Sequence, residues 1–156
     1  MNMCPKPSVL VVEDEHDLQQ ILAEALEADG FAVAQAFDGA DALERLRGFA
    51  YDALVVDLKL PDANGLDILE EALGRFPEMR AVVITGVGSV AEAVAAVKRG
   101  AVDVMLKPFQ LGQLSRTLKA AIEQRTLRKE NVELRARLGD RFRFENIIGR
   151  SAPMRE

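Results

Sequence analysis

Five side chains of complementary chemistry stand just past apolar runs in this sequence. Glu13 and Asp14 follow Ser8–Val12, Asp57 follows Ala53–Val56, Thr85 follows Ala81–Ile84, and Lys107 follows Asp103–Leu106. A carboxylate at the end of a buried run is costly to desolvate unless something holds it. Three carboxylates drawn together repel one another, and a hard divalent cation relieves that repulsion. Mg2+ takes oxygen ligands and keeps part of its water, so two or three carboxylates suit it. A carboxylate beside such a cation and a lysine is a competent nucleophile toward phosphorus. The two positive charges would neutralise the transferring oxygens. Thr85 adds a hydroxyl donor, and Gly86 leaves room beside it.

Whether the five meet depends on the elements that carry them. The apolar runs read as strands over Ser8–Val12, Phe31–Gln35, Ala53–Val56, Ala81–Ile84 and Asp103–Leu106. They are continuous rather than alternating, as parallel strands covered on both faces are. Helical patterns lie between them. Leu18, Ile21, Leu22, Ala25 and Leu26 form an inward stripe that Gly30 stops. Ala42, Leu43 and Leu46 face inward in a shorter helix over Gly39–Arg47. Leu66, Leu69, Ala72, Leu73 and Phe76 make a third stripe, ended by Pro77. Ser89 and Glu92 form a capping box for a fourth helix that ends at Gly100. A fifth starts near Gln110, with Leu111, Leu114, Leu118 and Ile122 toward the sheet.

This is an α/β chain of (βα)5 type, a doubly wound parallel sheet in the flavodoxin-like order 2-1-3-4-5. In that order ligands sit outside the carboxyl ends of the strands, at the point where the chain reverses direction between strands 1 and 3. The two acidic sites, the hydroxyl and the ammonium all fall there, while the edge strand 2 ends in nothing comparable.

Composition narrows the classes. The chain has 156 residues, enough for one domain and a tail. No apolar run is long enough to cross a bilayer, and MNMCPKPS lacks a secretory h-region, so a cytoplasmic location is expected. One Cys and one His exclude an internal disulfide and a zinc site built on those ligands. Residues 1–115 carry a net charge of −10 and residues 116–156 a net +5. The basic tail has no interleaved aromatics and reads as a solvated helix face rather than a nucleic-acid surface.

The set Glu13, Asp14, Asp57, Thr85 and Lys107-Pro108, with the segment DLKLPDANGLDIL, resembles the receiver domain of two-component response regulators. The resemblance covers 7–122. It implies that Asp57 is the phospho-acceptor, that Glu13 and Asp14 are the acidic pair, and that Thr85 is the signalling hydroxyl. It implies catalytic roles for Asp57, Lys107 and Thr85, and a Mg2+ shell of Glu13, Asp14, Asp57 and the backbone carbonyl of Lys59. It further implies a sensor histidine kinase as phosphoryl donor and a cis Lys107–Pro108 bond. Taken singly, Asp57 also reads as a turn residue, Glu13 as a solvated acid and Thr85 as a cap.

Two departures from the family pattern bear on switching. The family usually has an aromatic residue three before the lysine; here the switch position is Val104, which has no ring to flip. Lys59 and Val87 flank the acceptor and Thr85, and neither can orient an attacking water, so a long-lived phosphoryl group is expected. Thr85 and Lys107 are expected to move onto the phosphoryl oxygens, drawing Gly86–Ser89 inward and re-presenting the fourth helix, with its exposed Lys98 and Arg99.

Past Arg125, the positions Leu127, Asn131, Leu134 and Leu138 make a two-heptad seam. The segment 123–140 reads as a helical linker, either solvated or dimerising. The stretch 141–156, with ENIIGRS, resembles the opening of the AAA+ ATPase domain of sigma-54-dependent (NtrC-type) activators, cut before any Walker motif. That resemblance implies downstream ATPase and DNA-binding domains. A homodimer is expected through the fourth helix, fifth strand and fifth helix, the linker, or both. Two other classes compete. Haloacid-dehalogenase-like phosphatases use similar residues, but in the reverse order and with a second Asp where Lys59 stands. A flavin or nucleotide module would share the fold, yet the chain has no G-x-G-x-x-G and no P-loop.

Overall fold

The structure, a computed structural model, describes residues 6–86 and 90–125. The chain divides into two units, Met1–Ile122 and Glu123–Glu156. The capping serine Ser89, Val87, the seam and the ENIIGRS stretch lie outside the described residues.

Strands β1 (Ser8–Val12), β2 (Ala32–Ala36), β3 (Ala53–Asp57), β4 (Arg80–Thr85) and β5 (Asp103–Leu106) form one sheet of order β2-β1-β3-β4-β5. Every pairing is parallel. Helices α1 (His16–Ala28), α2 (Gly39–Gly48), α3 (Gly65–Arg75) and α4 (Val90–Lys98) connect them. A fifth helix, α5, covers 111–125. The order is the one the sequence implies.

Two cores explain why the strands are apolar throughout. Leu10, Val12, Leu54, Val56 and Val83 point to one face, against Leu46 of α2, Leu69 of α3 and Ala96 of α4. Their neighbours Val9, Val11, Val55, Val82 and Ile84 point to the other, against Leu22 and Leu26 of α1 and Leu114 and Leu118 of α5. Successive strand residues alternate faces, and both faces are covered. Each fully buried aliphatic side chain contributes roughly 1.5–3 kcal/mol.

The structure corrects two expectations from sequence. The second strand runs Ala32–Ala36, not Phe31–Gln35. Phe31 still belongs to the turn closing α1: its N–H donates to the Leu26 carbonyl, after Gly30 takes a φ of +100°. Ala32 is the first residue in register with β1, opposite Ser8. Ile21 does not face inward but is about half exposed, and the buried residues of α1 are Gln19, Leu22, Ala23 and Leu26. The inward stripe is rotated from the apolar one because a glutamine occupies a core position. Ile21 instead lines an open cleft of about 630 Å³ with Leu18, Lys107, Pro108 and Phe109.

Candidate functional site

The site grows out of the carboxyl ends of β1, β3 and β5. Asp57 is the last residue of β3, the central strand, and is 4% exposed. Its Oδ1 accepts from the Lys59 backbone N–H at 2.9 Å, and its Oδ2 accepts from Lys107 Nζ at 2.7 Å. These two bonds answer the desolvation problem the sequence poses. Glu13, directly after β1, is 1% exposed. Its Oε2 accepts from the Glu15 N–H at 3.1 Å. Its Oε1 lies 3.2 Å from Lys107 Nζ, but the approach makes no hydrogen bond, so this buried oxygen is left without one.

Asp14 is exposed and completes the group. Ligand oxygens of Glu13, Asp14 and Asp57 all lie within 4.8 Å of one another. Burial pushes the Glu13 carboxyl up from 4.5 to about 7, helped by the neighbouring Asp57 and opposed by the Glu15 N–H and Lys107. Burial alone would pull the Lys107 ammonium down, but its hydrogen bond to Asp57 and the charges of Asp57 and Glu13 outweigh that and raise it. An all-oxygen cluster holding a protonatable buried acid and an oxygen without a hydrogen bond fits a hard cation such as Mg2+.

Close packing fixes this geometry. The start of α3 lies directly under the acceptor: Gly65 N–H donates to the Leu58 carbonyl at 2.9 Å. A Cβ at Gly65 would collide with the Asp57 carbonyl oxygen and come within 2.6 Å of the Leu58 Cα, so only glycine fits. Further along the same loop, Asp62 accepts from the N–H groups of Gly39 and Ala40 at 2.7 and 3.0 Å. The loop is thereby docked on the N-terminus of α2. Those two donors hold the Asp62 carboxyl below the usual carboxylate range. The Lys107–Pro108 bond is cis.

Of the residues singled out from sequence, Glu13, Asp14, Asp57 and Lys107 come together. Lys59 joins them through its backbone N–H. Thr85 ends β4, one residue beyond Ile84, the register partner of Asp57. It is buried, and among the described residues its hydroxyl makes one long contact, 3.5 Å, to the Gly86 carbonyl. Val104 is half-buried and lines a groove of about 460 Å³ with Val94, Val97 and Lys98. Among the described residues neither Thr85 nor Val104 bonds to the acidic cluster.

Gln19 and Asp62 are absent from the sequence-based set. Gln19 carried a signal, since it stands three, four and seven residues before Leu22, Ala23 and Leu26. Asp62 carried none, because its partners are 22 and 23 residues away.

The sequence pattern of the response regulator receiver domain matches residues 9–119. The chain belongs to that family. It is 40% identical over 142 residues to the photosynthetic apparatus regulatory protein RegA of Cereibacter sphaeroides, covering 90% of this chain and 74% of RegA. It is 36% identical over 145 residues to a response regulator of Rickettsia bellii described as NtrX-like, covering 92% of this chain but 30% of the relative. The chain therefore spans under a third of that relative's length. Among solved structures, NtrX of Brucella abortus in complex with ADP superimposes with a TM-score of 0.77 at 33% identity, over 83% of this chain and 30% of that one. A receiver domain from Clostridium thermocellum gives 0.74 at 31% identity, over 78% and 98%. Among the described residues no helix is long and apolar enough to cross a membrane.

Proposed function

We propose that this receiver domain is a phosphorylation switch that takes a phosphoryl group from a sensor histidine kinase onto Asp57. The observation that carries the reading is the pairing of Asp57 with Lys107 at 2.7 Å inside a cluster of three carboxylates. Glu13, Asp14, Asp57 and the Lys59 carbonyl would hold Mg2+, which when bound neutralises the carboxylates and the incoming phosphoryl oxygens.

The residues divide the work. An Asp57 oxygen attacks phosphorus, and the bond from phosphorus to the donor atom breaks. Lys107 gives up its bond to Asp57 Oδ2 and takes a phosphoryl oxygen, so the new charge is met by an ammonium already in place. The Thr85 hydroxyl, weakly engaged at rest, donates to a second oxygen. The domain in this sense catalyses its own phosphorylation and slow dephosphorylation without turning over a released substrate. Glu13, Asp14 and Lys107 hold charge in place, and no residue at Lys59 orients a water for hydrolysis.

The signal leaves by α4 and β5. Exposed Val90, Val94 and Val97 on α4, with Leu106 on β5, support a homodimer through this face. Residues 123–140 would serve as linker, and 141–156 as the start of an AAA+ ATPase domain of the sigma-54-dependent kind. The likeness to an NtrX-like regulator and to the C4-dicarboxylate transport transcriptional regulatory protein DctD of Rhizobium meliloti supports that reading.

Incubation with Mg2+ and acetyl phosphate, followed by intact mass, tests the assignment. Wild type gains one phosphoryl group and keeps it for minutes or longer, while Asp57→Asn gains none. Equal labelling of both proteins would overturn it. Sedimentation of the same samples reads the dimer.

A further inference from the structure

We infer that Gln19 is a positioning residue for the cation site, clamping the backbone that carries Glu13 and Asp14 from inside the core. The inference rests on the Mg2+ reading above. Gln19 is fully buried in α1. Its Nε2 lies 2.9 Å from the Ala36 carbonyl, 3.1 Å from that of Glu13 and 3.2 Å from that of Val11. An amide has two N–H bonds, so three carbonyls share them. Glu13 is held through both its backbone groups, since its N–H also donates to the Ala36 carbonyl at 3.1 Å. One side chain thus binds the end of β1, the end of β2 and the first acid of the site together.

The other end of the amide shows that this is not simple packing. Gln19 Oε1 is buried with no hydrogen-bond partner. A leucine of similar volume would remove this unmade acceptor, but it would also take the donors from the Val11, Glu13 and Ala36 carbonyls. Keeping an amide there is understandable if its N–H groups do something an apolar side chain cannot. What they reach is the carbonyl of the residue whose buried carboxylate faces Asp57 and Lys107. Partners of this kind, one layer behind ligand groups, commonly set metal affinity by tenfold or more.

The test titrates MgCl2 into the 156-residue chain and follows backbone amide signals by NMR. Gln19→Leu and the more flexible Gln19→Met remove the donors but keep the volume. Both are expected to weaken Mg2+ about tenfold. Leu22→Ala, a change on the same helix in the core it shares with Val9 and Val11, removes no hydrogen bond to the Glu13 backbone and serves as a stability control. It is expected to lower the melting temperature at least as much and leave Mg2+ affinity unchanged. Unchanged affinity in the Gln19 variants, or equal weakening in Leu22→Ala, overturns the inference. In the unaltered protein, the Gln19 side-chain amide signals should shift with the same Kd as the Glu13 amide. A side-chain signal that stays still at saturation overturns it without any variant. Wild type that binds no Mg2+ at tens of millimolar overturns the underlying cation reading, and this inference with it.

Discussion

Among the described residues, the loops on the β1–β3 side of the site are tied down by several bonds, whereas those on the β4–β5 side are held by few. Glu13 is fastened through its N–H, its carbonyl and its carboxylate, and Asp57 through both oxygens. The loop after Asp57 is pinned by Gly65 below and by Asp62 against α2. By contrast α4 has one buried residue, Ala96, and exposes Val90, Val94 and Val97. Thr85, at the junction, has a single long hydroxyl contact among the described residues. The difference separates two tasks. On the proposed function, the charges that meet the phosphoryl group are preorganised. On the same proposal α4 changes position, and it has little packing to lose.

The comparison predicts a gradient of mutational effects, steepest on the braced side. Gly65→Ala forces a Cβ against the backbone of the acceptor and should destabilise by on the order of 3 kcal/mol. Urea unfolding together with acetyl phosphate labelling measures it, and an unaltered midpoint would break the comparison outright.

Next comes pH. The folded Glu13 carboxyl titrates at about 7, above its ordinary 4.5. Folded protein therefore keeps a proton that unfolded chain has lost, and stability falls as pH rises from about 4.5 to about 7. In Mg2+-free buffer, Glu13→Gln should lose this slope relative to wild type in melting temperature, and Mg2+ affinity of the wild type should rise over the same interval. A parallel slope in the two proteins would show that the titrating group is not Glu13.

Asp62→Ala should have a smaller effect. It frees two N–H groups at the start of α2 and lets the loop after Asp57 loosen. Because those donors depress the Asp62 carboxyl, its contribution is present at neutral pH and fades as pH falls through the acid range. Melting temperatures of both proteins at pH 7 and pH 3 read this directly.

Val94→Lys, on the loose side, should change stability by no more than about 0.5 kcal/mol. Its expected consequence is weaker association of the phosphorylated protein in sedimentation. A large stability loss there would mean that α4 is anchored after all.

The strands and their order are legible in the sequence because short, continuous apolar runs between helical patterns fit a parallel sheet covered on both faces. The strand ends then name the chemistry. What the sequence leaves hidden is relational. Nothing local shows that Lys107 reaches Asp57, 50 residues earlier, closely enough to neutralise it at rest. The phase of α1 is deceptive because Ile21 looks like core yet lines an open cleft, while Gln19 looks like surface and is buried by satisfying three carbonyls. Polar burial depends on partners that distant segments supply, and residue type alone does not announce it.

Lys107 follows β5, an edge strand whose only neighbour in the sheet among the described residues is β4. Its ammonium nevertheless reaches past β4 to the carboxylate that ends β3. The outermost strand is thereby tethered to the middle of the sheet through one ammonium, which also lies 3.2 Å from Glu13 Oε1. Whatever takes hold of that amine tugs the rim directly, with no need to deform the strand in between.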